Sequence, residues 1–161
     1  MADDYTYRNL IMWDRAQQLA LEVMKIVQRL PDTWSNAVIA RQIVASATSI
    51  GANIAEGHAR YTPGAHRNHL SIAKGSTAET DSWLDLLRRS GHLSVAEEAR
   101  LHAECREIMA MLTNKIRKLE NIAPSHTSTA HEERASYIAD SPETSPPFPF
   151  TPEDYQPGGK E

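Results

Sequence analysis

Four stretches of this chain repeat apolar residues in alternating steps of three and four, a spacing that aligns them on one side of an α-helix and on no side of a strand. In the first, Trp13, Ala16, Ala20, Val23, Val27 and Leu30 form the stripe, and the pattern predicts a helix over about Asn9–Leu30. Ile39, Ile43, Ala47, Ile50 and Ile54 mark a second helix, over Asn36–His58. Leu70, Ala73, Thr77, Thr80, Leu84 and Leu87 mark a third, and Leu101, Cys105, Ile108, Leu112, Ile116 and Leu119 a fourth. Each helix has one apolar stripe that must be covered. Short connections therefore predict an all-α, up-down-up-down antiparallel four-helix bundle.

Punctuation between the stripes supports this division. Pro31 cannot continue the first helix, because it lacks an amide donor and clashes with the preceding turn. Thr62 followed by Pro63 is a helix start, with a side-chain cap and a residue whose missing donor is not needed at the first helical position. Gly91 ends the third helix, and Ser94-Val95-Ala96-Glu97 opens the fourth with a capping box. Leu19, Ile26, Leu86, Met109 and Met111 lie off the simplest seams. Such extra apolar positions predict a homo-oligomer.

Within the second helix, Ser49-Ile50-Gly51-Ala52-Asn53-Ile54-Ala55-Glu56-Gly57 combines two glycines with an amide and a carboxylate. Glycine in a helix interior costs about 1 kcal/mol relative to alanine. The expected compensation is a close backbone approach at Gly51. Asn53 and Glu56 share a face and, if buried, need partners, for which Arg60, Ser76 and the following loop are the candidates. Gly75-Ser76-Thr77-Ala78 provides a second small surface on the third helix, suited to packing against the second.

The last quarter of the chain differs in kind. From position 121 onward the chain holds seven of its nine prolines, including the run Ser145-Pro146-Pro147-Phe148-Pro149-Phe150-Thr151-Pro152. A bundle domain over 1–120 followed by a disordered acidic tail over 121–161 is expected. Phe148, Phe150 and Tyr155 would allow the tail to act as a short recognition segment. Residues 1–120 carry 15 Lys/Arg and 14 Asp/Glu, whereas 121–161 carry two and seven, so the charge of −4 belongs to the tail. A near-neutral body lacks a general attraction for phosphates, but Arg60, Arg67, Arg88, Arg89, Lys115, Arg117 and Lys118 could still form a local nucleic-acid or partner surface.

The residue types give little purchase for catalysis. Glu56, His58, His66 and His69 form the densest ionisable group, yet they lack the paired Glu-x-x-His pattern of di-metal bundles and predict no metal site. No nucleophile elbow or phosphate-binding loop occurs, and Lys74-Gly75-Ser76 lacks the glycine-rich approach that such a loop needs. Cys105 falls in an apolar stripe and reads as a packed thiol. No cofactor and no enzymatic activity are expected. The absence of a long uncharged segment or a leader pattern predicts a cytoplasmic protein without a membrane span.

Three segments carry a family resemblance, in order along the chain. They are Tyr7-Arg8-Asn9-Leu10-Ile11-Met12-Trp13, Ser49–Gly57, and His69-Leu70-Ser71-Ile72-Ala73-Lys74-Gly75-Ser76 followed by Glu79. In these the chain resembles the S23-type four-helix bundle proteins, associated with intervening sequences in 23S ribosomal RNA genes. That family is related to the accessory variability determinant of diversity-generating retroelements. The resemblance implies a cyclic homopentamer and a non-catalytic scaffold or adaptor. It also admits a nucleic-acid-binding accessory protein partnered with a reverse transcriptase. Gly51, Asn53, Glu56, Gly57 and Ser76 fall on the motif, as structural rather than catalytic positions. Gly51 stands where relatives commonly have proline, and His66, Asn68 and His69 interrupt a connector that is more basic or aromatic elsewhere.

Overall fold

The computed structural model describes residues 6–122, and in them the chain forms four α-helices. A short 3-10 turn at Tyr7–Asn9 precedes α1 (Ile11–Gln28), α2 (Trp34–His58), α3 (Pro63–Arg89) and α4 (Val95–Ile122). The helices close in a ring in which α2 touches α1 and α3, and α4 touches α3 and α1. The α2–α3 contact is the most extensive and the α1–α4 contact the least. Cross-helix pairs give the directions: Ser46, Ser49 and Asn53 ascend α2 as Thr80, Ser76 and His69 descend α3. Arg15, Glu22 and Arg29 likewise ascend α1 as Glu104, Arg100 and Glu97 descend α4. The all-α antiparallel bundle is thus the observed fold. The tail expected over 121–161, with its recognition segment, lies outside the described residues except for the last turn of α4.

Helix boundaries follow the local chemistry. Thr33 starts α2 two residues before the expected position, its hydroxyl accepting from the Asn36 amide. Asn36 fixes the entry by donating its side chain to the Pro31 carbonyl at 2.8 Å. Thr62 caps Ala65 at the start of α3, with Pro63 in the first turn. At its far end Gly91 adopts φ +79°, a left-handed conformation that lets His92 bond back to the Leu87 carbonyl. The first helix begins later than its stripe suggested, because Tyr7–Asn9 winds as a 3-10 turn that brings Tyr7 edge-on to Trp13 at 5.1 Å.

The core consists of the four stripes, with Val23, Ile43, Ile50, Leu84 and Leu112 among the fully buried side chains. Leu19 and Ile26, expected outside the simplest seams, are core residues. They fill the α1 flank that faces α4, so they offer nothing to a second copy. Cys105 is buried, and burial, then Asp81 and Glu104, pushes its thiol up to about 12. It is the inert packed thiol that its stripe position implied. No described helix is long and apolar enough to cross a membrane.

The start of α4 uses its capping box fully. Ser94 Oγ accepts from the Glu97 amide at 3.2 Å while Glu97 accepts from the Ser94 amide at 2.9 Å and from its hydroxyl at 2.7 Å. Those bonds, joined by Arg29, hold the Glu97 carboxyl down to about 2. A lowered carboxylate stabilises the fold above its unfolded value of 4.5 and loses that contribution as pH falls through 4.5 toward about 2. The variant Ser94→Ala should therefore lose about 1 kcal/mol at neutral pH. The deficit should shrink below pH 4.5 when denaturation is followed across the acid range.

Candidate functional site

The Ser49–Gly57 segment forms the last part of α2, and its residues face three different ways. Gly51 is buried toward α1, where a Cβ would lie 2.9 Å from Gln17 Nε2 and 3.8 Å from Trp13 Nε1. The close approach expected there comes from a side chain, not from a second backbone. Gly57 makes the backbone contact instead. A Cβ on it would lie 3.0 Å from the His69 Cβ and 3.2 Å from the His66 carbonyl oxygen. On α3, Gly75 has open space around it and is exposed. Only Ser76 and Thr77 of the small-residue surface expected there face inward.

Between α2 and α3 the polar side chains form rungs. Thr80 donates to the Ser46 hydroxyl at 3.0 Å or to the Ser76 carbonyl at 2.8 Å, and Ser46 donates to the Ile43 carbonyl at 3.2 Å. The Ser76 hydroxyl donates to Ser49 Oγ at 3.0 Å. Asn53 donates its amide to that same oxygen at 3.0 Å and to the Ser49 carbonyl at 2.9 Å. Its Oδ1 stands 3.4 Å from His69 Nδ1. Buried hydroxyls are costly unless paired, and here each one has a partner. Ser76 was an expected partner of Asn53. It reaches Asn53 only through Ser49, a residue whose serine type gave no separate signal in sequence.

Glu56 is 52% exposed at its side chain, so it is no buried carboxylate. It pairs with Arg60, one of the candidate partners, and its second oxygen lies 3.7 Å from His69 Nδ1. The Arg60 Nε–H donates to His69 Nε2 at 3.1 Å. His69, only 15% exposed at its side chain, thereby links Asn53, Glu56 and Arg60. The sequence groups His69 with Glu56, His58 and His66 but assigns it no role. His58 diverges from Glu56 and meets His66, with ring centroids 6.4 Å apart and planes at 88°. Among the described residues no group of three or more His, Cys, Asp or Glu side chains is placed to hold a metal ion.

The seven cations proposed for one surface divide between the two ends of the bundle. Arg60 and Arg67 flank the α2–α3 connection, and Lys115, Arg117 and Lys118 occupy the end of α4 at the same level. Arg88 and Arg89 sit 21 residues beyond Arg67 on α3, roughly 30 Å away at 1.5 Å per residue. Both bind Asp85, at 2.9 and 2.6 Å, and Arg88 in first place holds that carboxyl below its usual range. Arg67, Lys115, Arg117 and Lys118 make no ion pair among the described residues. The α2–α3 end is consequently cationic, with Tyr61 fully exposed on its loop.

The two α2 glycines should respond differently to alanine. Each substitution gains about 1 kcal/mol of helix propensity. At Gly51 the displaced group is the flexible end of Gln17, whereas at Gly57 it is backbone and Cβ, where overpacking costs about 1–3 kcal/mol. Chemical denaturation should place Gly51→Ala at or above the parent protein and Gly57→Ala below Gly51→Ala. The reverse order would refute this assignment of the two contacts.

The fold and this segment have counterparts among known proteins. The crystal structure of a protein of unknown function from Bacteroides thetaiotaomicron, of the S23 ribosomal protein family, superposes with a TM-score of 0.62 at 28% sequence identity. The match covers 66% of this chain and 98% of that one. No curated protein matches the chain. The model of the 23S rRNA-intervening sequence proteins matches residues 8–114, from the turn before α1 into the second half of α4. The chain belongs to the 23S rRNA-intervening sequence protein family.

Proposed function

We propose that this protein is a non-enzymatic, homo-oligomeric interaction scaffold acting in the cytoplasm, with the cyclic pentamer of the resembled family as its assembly. The observation that carries the reading is the outer face of α2. Arg41 and Glu56 are the only Asp, Glu, Lys or Arg residues among its 25. Ala45, Thr48 and Ala52 are exposed along it, where a solvated helix usually carries charge. Exposed Leu21 and Met24 of α1 and Ile72 and Leu86 of α3 stand on the neighbouring helices. A stable interface needs roughly 800 Å² per partner, with small and apolar residues at its centre. The polar groups inside the bundle support a non-catalytic role, since they serve to join α2 to α3.

Light scattering should then give a mass of several times 18.0 kDa, and five times for the pentamer. Ala52→Arg should reduce that mass while far-ultraviolet circular dichroism keeps its helical signal. A wild-type protein that remains at 18.0 kDa at high concentration would remove the scaffold reading.

A second reading is favoured by the cationic end. In it the protein is a nucleic-acid-binding accessory protein of a reverse transcriptase or of another RNA-associated system. Arg67, Lys115, Arg117 and Lys118 would contact phosphates, with Arg88 and Arg89 left out by their pairing with Asp85 and Arg60 by its pairing with Glu56. About four phosphate contacts should produce a log–log salt slope of roughly −3 to −4 in RNA or DNA binding. Affinity that ignores salt, or no binding at low salt, would eliminate this second reading.

A further inference from the structure

The connection between α2 and α3 puts one aromatic ring entirely into water, at the end of the bundle where cations lack partners. We infer that Tyr61 is a stacking platform for an unpaired base, so that this end binds single-stranded nucleic acid in preference to duplex. The inference rests on the second reading above and adds to it the state of the strand and the residue that senses it.

The residues on either side of Tyr61 are both tied down. The Arg60 amide bonds the Gly57 carbonyl at 3.2 Å, and its side chain turns back onto Glu56 and His69. Thr62 accepts from the Ala65 amide at 3.2 Å and starts α3. Between these anchors the Tyr61 ring packs on neither helix: its exposure is 104%, as full as in an extended peptide. A tyrosine stabilises a fold through its buried ring and a bond from its hydroxyl, and among the described residues Tyr61 does neither. Substitution there therefore leaves the bundle intact. A ring presented on a tethered connector also loses little freedom on binding.

The surrounding charge selects the ligand. Arg67 stands in the second turn of α3, and Lys115, Arg117 and Lys118 stand in the last turns of α4. Asp14 on α1 and Glu120 on α4 are the carboxylates that oppose them, since Glu56 is already held by Arg60. An acidic peptide satisfies such cations without using the ring. A nucleotide uses both, its phosphate meeting the cations and its base the aromatic face. A duplex offers the same phosphates but keeps its bases stacked on one another. The opposite end of the bundle lacks this combination. Trp34 is half-exposed there, but Arg29 is held by Glu97, and Arg88 and Arg89 by Asp85.

Fluorescence anisotropy on the full chain at low salt tests the inference with oligothymidylate, an abasic strand of the same length and a DNA duplex. Oligothymidylate should bind tightest. Tyr61→Ala should weaken it at least about fivefold, the lower bound for losing one stacked base. The same variant should leave the abasic strand and the duplex unchanged, with helical circular dichroism retained. Tyr61→Phe should keep the parent affinity, Trp34→Ala should alter nothing, and the salt slope should be the same throughout. Equal affinity for the three probes overturns the inference, as does a Tyr61→Ala effect that is absent or shared equally by the duplex. In either case phosphate recognition stands if salt still weakens binding. Failure of every probe to bind at low salt removes both.

Discussion

The close approach of α3 to the end of α2 is the contact on which the other features depend. Burial of the apolar stripes supplies the main driving force for the bundle, but that force has no direction and tolerates sliding. Hydrogen bonds do not. Thr80 to Ser46 and Ser76 to Ser49 each match one level of α3 to one level of α2, and a shift of either helix would break both, leaving Thr80 and Ser46 with only the carbonyls of their own helices and Ser76 without its Ser49 partner. Gly57 lets the helices meet at the end of this ladder, and the meeting brings His66 and His69 against α2. The histidine cluster is thus a consequence of the packing.

Opposite this interface, α1 and α4 are joined differently. Arg15–Glu104, Arg100–Glu22 and Arg29–Glu97 cross their outer surface at 2.9, 2.8 and 2.6 Å. Exposed ion pairs contribute little each, typically below about 1 kcal/mol, but they are solvated and mark a face that suits water. The outer face of α2 has no such ladder. One side of the bundle is finished with charge and the other with alanine, threonine and scattered larger apolar groups. The asymmetry is a property of the four helices together. It becomes visible only when each residue's direction is known.

Those directions explain what could be read from the sequence. Periodicity identified four helices, and the local stop and start signals at Pro31, Thr62–Pro63, Gly91 and Ser94–Glu97 divided them, because both act over a few residues. The family motif also marked a segment with structural contacts at Gly57, Asn53 and Ser76. Partner identity was not legible in the same way. Gly51 receives Gln17, which is distant in sequence, and Leu19 and Ile26 belong to the core only because α4 lies beside that flank of α1. Arg88 and Arg89 resemble Arg67 and Lys115 in type but differ in which end of an antiparallel bundle they occupy. Nor could the spacing show that His69 accepts from Arg60, since that bond depends on how the α2–α3 loop turns.

The α2 face and the cationic end are coupled under the proposed assembly. Neighbours in a ring are related by rotation about one axis, and rotation preserves direction along that axis. If copies join along the sides of the bundles with their helices close to the axis direction, every α2–α3 loop emerges on the same rim. Arg67, Lys115, Arg117 and Lys118 would then repeat around that rim, and the potential of one weak patch would be multiplied by the number of subunits. A near-neutral body could in this way present a strongly positive edge without a basic overall composition.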